Sequence, residues 1–391
     1  MTRSPDTSSR HTAPQAAPSG PAADAPAGVG RRARLTWASE IEPEPVSWAW
    51  EPEGQGRIPA GSLTVAAGRE GTGKSSFGIW MAAQITRGLL PGAFHGQVRT
   101  VLYVAVEDSW KHTLVPRLIA AGADLTKVAR FDVVTELDRV VQLSLPVDND
   151  LLEQTIVHDR VALIVVDPLM SVISERIDTH RERQVRQVLD PVAGIADRTG
   201  AVVMGIAHFG KGGHADAASL ITGSGAFKNV PRSVFGFAPD DTVDDDRGVV
   251  TQVKNSLGRR RLPSLSYRVE EAEIPTPAGV ARTGRFVFLG ESQRSVEDIL
   301  RESRASEGES QAERTEAAEW LRGYLVEQGG SAKFRDILTA ARADGIAEST
   351  LKRARSKAGV TFTRVGYKGG SVWSLEPADP HSAHSDQATR G

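Results

Sequence analysis

At 391 residues the chain can hold two domains plus tails, and its formal charge of −2 excludes a molecule-wide basic field, so any nucleic-acid surface must be local. The absence of cysteine excludes disulfides and thiolate metal sites and suits a reducing cytoplasm. No apolar run has membrane-spanning length; the best, Val161 to Val166, is cut by Asp167-Pro168, so a cytoplasmic protein without a membrane partner is expected.

Residues 1–30 are rich in Pro, Ala, Ser and Thr, lack a signal-like apolar stretch, and predict a disordered tail. Trp37, Trp48 and Trp50, with Glu-Pro-Glu-Pro between the first two, predict an extended lead-in packed on a first domain spanning 31–290. The apolar run 61–68 (GSLTVAAG) then predicts a strand, and 76–87 a helix. Further strands are expected at 100–106, 130–134, 140–145, 161–167 and 201–207, with helices at 110–121, 149–160 and 179–199. Near-unbroken apolar strands alternating with helices predict an α/β fold with a mostly parallel, doubly wound sheet. Four β-like runs at 232–238, 248–254, 265–269 and 285–289 are expected to add an antiparallel edge.

Residues 291–312 are charged and Ser-rich and predict a linker, with one short helix at 296–301. A compact second unit follows at 313–376. Ala317, Trp320, Leu321, Tyr324 and Leu325 have helical spacing, and Phe334, Ile337, Leu338 and Ala341 repeat it. A third helix at 348–358 and a hairpin at 361–375 complete the element order of a winged helix, before a polar tail at 377–391.

The strongest chemical signal is GREGTGKSS at 68–76. It fits G-x-x-x-x-G-K-[ST] with a strand before and a helix after, the context that makes this pattern a phosphate cradle. Gly68, Gly71 and Gly73 let backbone N–H groups of Glu70, Thr72 and their neighbours converge on a phosphate, and the helix start at Ser76 adds partial positive charge. Lys74 would reach the β/γ-phosphates of ATP and the Ser75 hydroxyl would bind Mg2+. The Glu70 carboxylate must turn away from those phosphates. Strand ends supply the remaining candidates, because ligands of doubly wound sheets sit there. Asp167 is placed to hold Mg2+, Glu107 to polarise an attacking water from one strand away, and His208 to sense the γ-phosphate. Asp108 fits a helix-capping acid better than Glu107 does. The glycine-rich loop 209–227, with Lys211, is expected to be mobile and to hold a nucleic-acid strand.

In the second unit, Lys352, Arg353, Arg355 and Lys357 on the third helix and Arg364 and Lys368 on the hairpin face only one acid, Glu348, between 347 and 370. With Leu351, Ala354 and Ala358 turned inward, these bases are expected on an exposed DNA-contacting face.

Over 57–261 the motifs GREGTGKSS, LYVAVEDSW with Arg117-Leu118 downstream, VALIVVDP, GIAHFGKGG, FKNVPRSVFGF and VKNSLGR resemble the RecA-like hexameric replicative helicases of the plasmid RepA type and their AAA-family phage and mobile-element relatives. The C-terminal unit resembles the small winged-helix domain often appended to such ATPases. The resemblance implies a homo-hexamer with ATP at each junction, Lys74, Ser75 and Asp167 on phosphates and metal, and Glu107 as base. It also implies Arg117 against the adenine, Arg232 as an arginine finger for the neighbouring subunit and Lys254 near the same phosphates. Many ring ATPases carry their base directly after the metal-binding Asp. Pro168 occupies that position here, which fits the RecA-like arrangement with Glu107. The expected function is a DNA-dependent ATPase, a replicative helicase or translocase of a plasmid or phage. A recombination mediator or DNA loader, and an ATP-gated DNA-binding regulator, are the alternatives.

Overall fold

The computed structural model describes residues 33–210, 220–242, 246–307, 311–364 and 371–375. The expected tails, Lys211 with most of its glycine-rich loop, and Lys368 lie outside these residues. The chain divides at Pro45 into two units. The described part of the first, 33–45, contains a 3-10 turn at Ala38–Glu40 and an exposed Trp37.

Within the second unit, β1 (Trp48–Trp50) and β2 (Ile58–Pro59) pair as a short ribbon. They are followed by β3 (Leu63–Gly68), α1 (Lys74–Thr86), β4 (Thr100–Ala105), a π turn at Trp110–Leu114 and α2 (Val115–Ala120). Next come β5 (Val128–Arg130), the two-residue pair β6 (Val133–Val134) and β7 (Val140–Val141), α3 (Asn149–His158), β8 (Val161–Asp167), α4 (Glu182–Thr199) and β9 (Val202–His208). After α5 (Ala226–Asn229) the chain forms β10 (Ser233–Pro239), β11 (Arg247–Asn255), β12 (Ser264–Thr276) and β13 (Gly279–Ser292). The remaining elements are α6 (Val296–Glu307), α7 (Gln311–Glu327), β14 (Ser331–Lys333), α8 (Phe334–Ala343), α9 (Glu348–Lys357), β15 (Val360–Arg364) and β16 (Ser371–Leu375).

The fold is mixed α/β around a nine-stranded sheet of order β13-β12-β11-β10-β3-β9-β8-β4-β5, parallel from β10 to β5 and consistent with a P-loop NTPase. β8 and β9 carry only apolar residues and glycine up to their last positions, Asp167 and His208, because both sheet faces are covered. On one face α3 and α4 bury Leu152, Ile156, Val185, Val188 and Val192. On the other, α1 brings Phe77 and Trp80 to Trp50, Phe235, Phe286 and Phe288, forming an aromatic layer that anchors β1 and accounts for Trp50 among the three N-terminal tryptophans. Gly200 ends α4 in the left-handed region at φ 73°, a conformation that other L-residues adopt only at a cost.

Three sequence expectations change. First, β10 runs parallel to β3, so the antiparallel addition begins only at β11. Its last two strands form a hairpin paired from Ser264–Ser292 to Thr276–Gly279, far longer than the apolar runs within it, because its outer half alternates charged and small residues. Second, the 291–312 region is no free linker. Val296, Ile299 and Leu300 of α6 are buried with Leu220, Ala238 and Val249. At roughly 1.5–3 kcal/mol for each large side chain, that burial is enough to fasten α6 to the sheet edge. Third, the C-terminal unit contains an additional strand, β14, in a sheet of order β14-β16-β15 beneath α7, α8 and α9. Its core gathers Leu321, Leu325, Ile337, Leu351 and Trp373. Among the described residues, no helix is long and apolar enough to cross a membrane.

Candidate active site

The loop after β3 makes its turn through two left-handed glycines, Gly71 at φ 73° and Gly73 at φ 80°, and α1 starts at once with Lys74. A Cβ on Gly68 would stand 2.6 Å from the Phe237 carbonyl and 2.7 Å from Thr72 Oγ1, so only glycine lets the loop leave the sheet here. Gly71, by contrast, has nothing within 4 Å of a would-be Cβ: its face opens into a cavity of about 380 Å3. That cavity is lined by Glu70 to Ser76 together with Glu107, Asp108, Arg117, Asp167, His208 and Val269.

Register explains the convergence. β9 lies directly beside β3 with His208 opposite Gly68, and the Phe209 N–H donates to the Gly68 carbonyl at 3.1 Å. β8 is one strand further out and carries Asp167; β4 lies beyond it, with Ala105 opposite Asp167. Glu107 therefore arrives from the third strand out rather than from one strand away, and enters the cavity because it lies past the end of β4. Glu107 is exposed. Its neighbour Asp108 is no cap: Ser109 caps the following turn, accepting from His112 N–H at 3.2 Å, while Asp108 pairs with Arg117 at 3.2 Å.

Asp167 is held by two hydroxyls. The Tyr103 OH donates to Oδ2 at 3.1 Å and the Ser75 hydroxyl also bonds the carboxylate. Burial raises the Asp167 carboxyl above its usual range, opposed by these two hydrogen bonds and by Lys74. Burial also keeps Tyr103 protonated, so it remains a donor. Lys74 is almost fully buried, and its Nζ donates to the Arg69 carbonyl at 2.6 Å. Desolvation lowers its pKa to about 8, while Asp167 and Glu70 work in the opposite direction. Glu70 lines the cavity, and its charge lies close enough to favour the Lys74 ammonium. Among the described residues, the buried Nδ1 of His208 has no hydrogen-bond partner.

Sequence reasoning missed Tyr103 and Tyr267. The Tyr267 OH donates to the Thr72 carbonyl, and its ring would stand 3.0 Å from a Cβ on Gly73. A tyrosine at the fourth position of β12 carries no signal that it will brace a loop 195 residues away in the chain.

Arg232 and Lys254 do not join this cavity. The Arg232 N–H donates to the Leu63 carbonyl at 2.9 Å, at the start of β3 and so at the opposite end from the phosphate loop. Lys254 donates to the Lys228 and Asn229 carbonyls at 3.0 and 2.7 Å. Burial lowers its pKa, as do the nearby charges of Arg232, Arg186 and Lys228. Beyond His208 the loop is closed at its base by a bridge between Phe209 and Ile221, with the Gly210 N–H on the Leu220 carbonyl at 2.6 Å.

The basic face of α9 is also not where the sequence placed it. Leu351, Ala354 and Ala358 turn inward as expected. The opposite face, however, meets the acidic turn after β10. The Lys352 side chain is only 11% exposed, donates to the Thr242 carbonyl at 2.7 Å and pairs with Glu348 at 3.2 Å. Arg355 lies over Phe362 and Trp373 at 4.5 and 5.4 Å. Arg353 Nε donates to the Ser349 carbonyl at 2.8 Å, and Lys357 remains exposed. Helical periodicity separates inside from outside within one unit but does not report what the outside meets. The Arg364 side chain lies outside the described residues.

Residues 30–214 match the AAA domain family, P-loop ATPases whose fold agrees with the sheet and loop above. No curated protein matches the chain.

Proposed function

We propose that the chain is an ATP-hydrolysing, RecA-like DNA-dependent ATPase, a replicative helicase or translocase of a plasmid or phage, with a C-terminal winged helix. One observation carries this reading: Lys74, Ser75, Glu107, Asp167 and His208, drawn from four separate segments of sequence, line one cavity around an open glycine loop. ATP with Mg2+ fits the site. Gly71 leaves room for phosphate, Lys74 offers a buried ammonium, and the oxygen donors Ser75 and Asp167 suit a hard cation that keeps most of its water. The bound ion supplies charge neutralisation on the phosphates. Lys74 leaves its Arg69 carbonyl for the phosphates, Glu107 orients and deprotonates water, and His208 uses its unpartnered nitrogen to register the γ-phosphate. Arg117, fixed by Asp108, lies at the rim where a base would stack. Arg232 and Lys254, remote from their own loop, serve the adjoining subunit of a homo-hexamer.

ATP turnover measured with and without single-stranded DNA tests the proposal. Stimulation by DNA that is lost in Lys74→Ala and Glu107→Ala supports a motor; turnover indifferent to DNA overturns it. The ATP-gated regulator remains a second reading because the basic helix α9 sits against the ATPase unit, where a cleft is lined by both α9 and Gly71 to Gly73.

A further inference from the structure

The loop between β11 and β12 carries three consecutive arginines, Arg259, Arg260 and Arg261, all exposed. β11 runs antiparallel to β10 and ends with Asn255 opposite Ser233, so the loop leaves the sheet at the end opposite the phosphate loop. Its base is pinned. The Ser256 N–H donates to the Arg232 carbonyl at 2.9 Å, the Gly258 N–H to Asn255 Oδ1 at 3.0 Å, and Asn255 Nδ2 to the Gly56 carbonyl at 2.9 Å. A Cβ on Gly258 would stand 2.8 Å from Trp48, so the turn packs against that ring. On the far side buried Arg57 donates to the Pro263 carbonyl at 3.0 Å. The surroundings add positive charge rather than relieve it. Among the described residues none of Arg232, Arg259, Arg260 and Arg261 forms an ion pair. Lys254, near the end of β11, has its pKa lowered first by burial and then by Arg232, Arg186 and Lys228. Arg186 is itself paired with Glu182 and Asp190, and Glu53 and Glu291 act on Arg57 at the base. In a chain of net charge −2, Arg232 and the loop arginines are a local excess of cations.

We propose that the Arg259–Arg261 loop grips the phosphodiester backbone of single-stranded DNA, at the end of the sheet away from the chain's own phosphate loop. This rests on the DNA-dependent reading above, and gives it a surface that Lys352, engaged on the Thr242 carbonyl, does not offer. A guanidinium recognises a phosphate through two parallel N–H donors, with its charge kept at any physiological pH. Three in a row, with no shape-specific group between them, suit a partner that repeats one anionic unit. A nucleic-acid backbone does that; a folded acidic surface does not. The pinned base lowers the ordering cost of binding, since only the side chains have to be fixed. Because Ser256 is bonded to the Arg232 backbone, strand occupancy is felt beside the arginine assigned above to an adjoining copy. A triphosphate on that copy offers the same phosphate chemistry, so the test separates the two sources.

The test uses the full chain with Arg259→Gln, Arg260→Gln and Arg261→Gln combined, and a second protein with Arg259→Lys, Arg260→Lys and Arg261→Lys. Anisotropy of a labelled oligothymidine strand of about 20 nucleotides is followed between about 50 and 200 mM salt. Each backbone contact on a single strand contributes roughly 0.7 to the salt slope. The glutamine protein should therefore show a slope shallower by about 2 and binding about a hundredfold weaker near 0.1 M salt. The lysine protein should keep most of the slope, because charge sets it. Parent-like affinity and slope in the glutamine protein overturn the proposal while leaving DNA binding intact. A lysine protein as weak as the glutamine one also overturns it, since the loss is then structural. DNA affinity kept with DNA-free ATP turnover lost assigns the arginines to a triphosphate on another copy, and overturns it too. A parent that binds no DNA overturns the DNA-dependent reading, and the proposal with it.

Discussion

Lys74 illustrates how much the loop asks of a single side chain. Its ammonium is buried against a carbonyl, and burial brings its pKa down to about 8 from the ordinary value near 10.5. The sign follows directly. A lysine whose folded pKa is depressed costs stability while charged; that cost is fully present below about pH 8 and is relieved as pH rises toward the unfolded value. Triphosphate binding acts in the opposite sense, since anionic oxygens beside Nζ favour the charged form. ATP binding at pH 8.5 should therefore take up protons, and affinity should fall above pH 8. Calorimetry in buffers of different ionisation enthalpy measures the uptake, which Lys74→Arg should abolish. Glu70 poses the complementary question. Its charge helps keep Lys74 protonated, yet it lines the cavity that would receive phosphates. Exposed like charges cost about 1 kcal/mol or less, so Glu70→Gln should tighten ATP binding roughly two- to fivefold. Titration with a fluorescent ATP analogue decides it, and unchanged affinity would mean the repulsion is screened out.

At the scale of elements, the phosphate loop, the metal-binding candidate and the γ-phosphate sensor candidate could all be read from the chain because their geometry is local. A glycine loop between strand and helix, or a polar residue ending an apolar strand, is specified within about ten residues of sequence, and a parallel sheet then aligns the strand ends. What supports those residues was not legible. Tyr103 reaches Asp167 across 64 positions and Tyr267 reaches Thr72 across 195, and no periodicity encodes such pairs. The antiparallel addition is therefore part of the site rather than an edge ornament: β12 bends Tyr267 and Val269 onto the loop, and the hairpin partner Phe286 stacks on Tyr267 at 4.8 Å. Tyr267→Phe keeps that stacking and removes only the hydroxyl that holds the Thr72 carbonyl. The loss should be about 1 kcal/mol of stability with a looser phosphate loop, seen as a lower Tm and weaker ATP binding together. Tyr267→Ala also opens a cavity under the aromatic layer and should cost about 3–5 kcal/mol, in the range of large aromatic truncations.

At the scale of the molecule, every group that would stabilise charge on the phosphates lies at one end of the sheet except Arg232 and Lys254, which lie at the other. Within one chain they have no route to the loop: Arg232 is tied to Leu63, and β3 must be crossed from Leu63 to Gly68 before the phosphates begin. Lys254 is additionally surrounded by Arg186, Lys228 and Arg232, a concentration of positive charge that desolvation already penalises. Such a cluster gains most from a polyanion presented by another copy. If Arg232 works across a subunit junction, its loss should reduce turnover by about 10³ or more while leaving ATP binding nearly intact. Mixing supplies the decisive arm. Lys74→Ala subunits lack a working loop but keep Arg232, and Arg232→Ala subunits have the reverse defect. Each homogeneous protein should be inactive, yet a mixture should recover turnover, because some junctions pair an intact loop with an intact arginine. Recovery that rises and then falls with mixing ratio, peaking near equal amounts, is the signature of a shared site. A mixture as inactive as its components would place the function of Arg232 within its own chain, where the fold offers it no phosphate to reach.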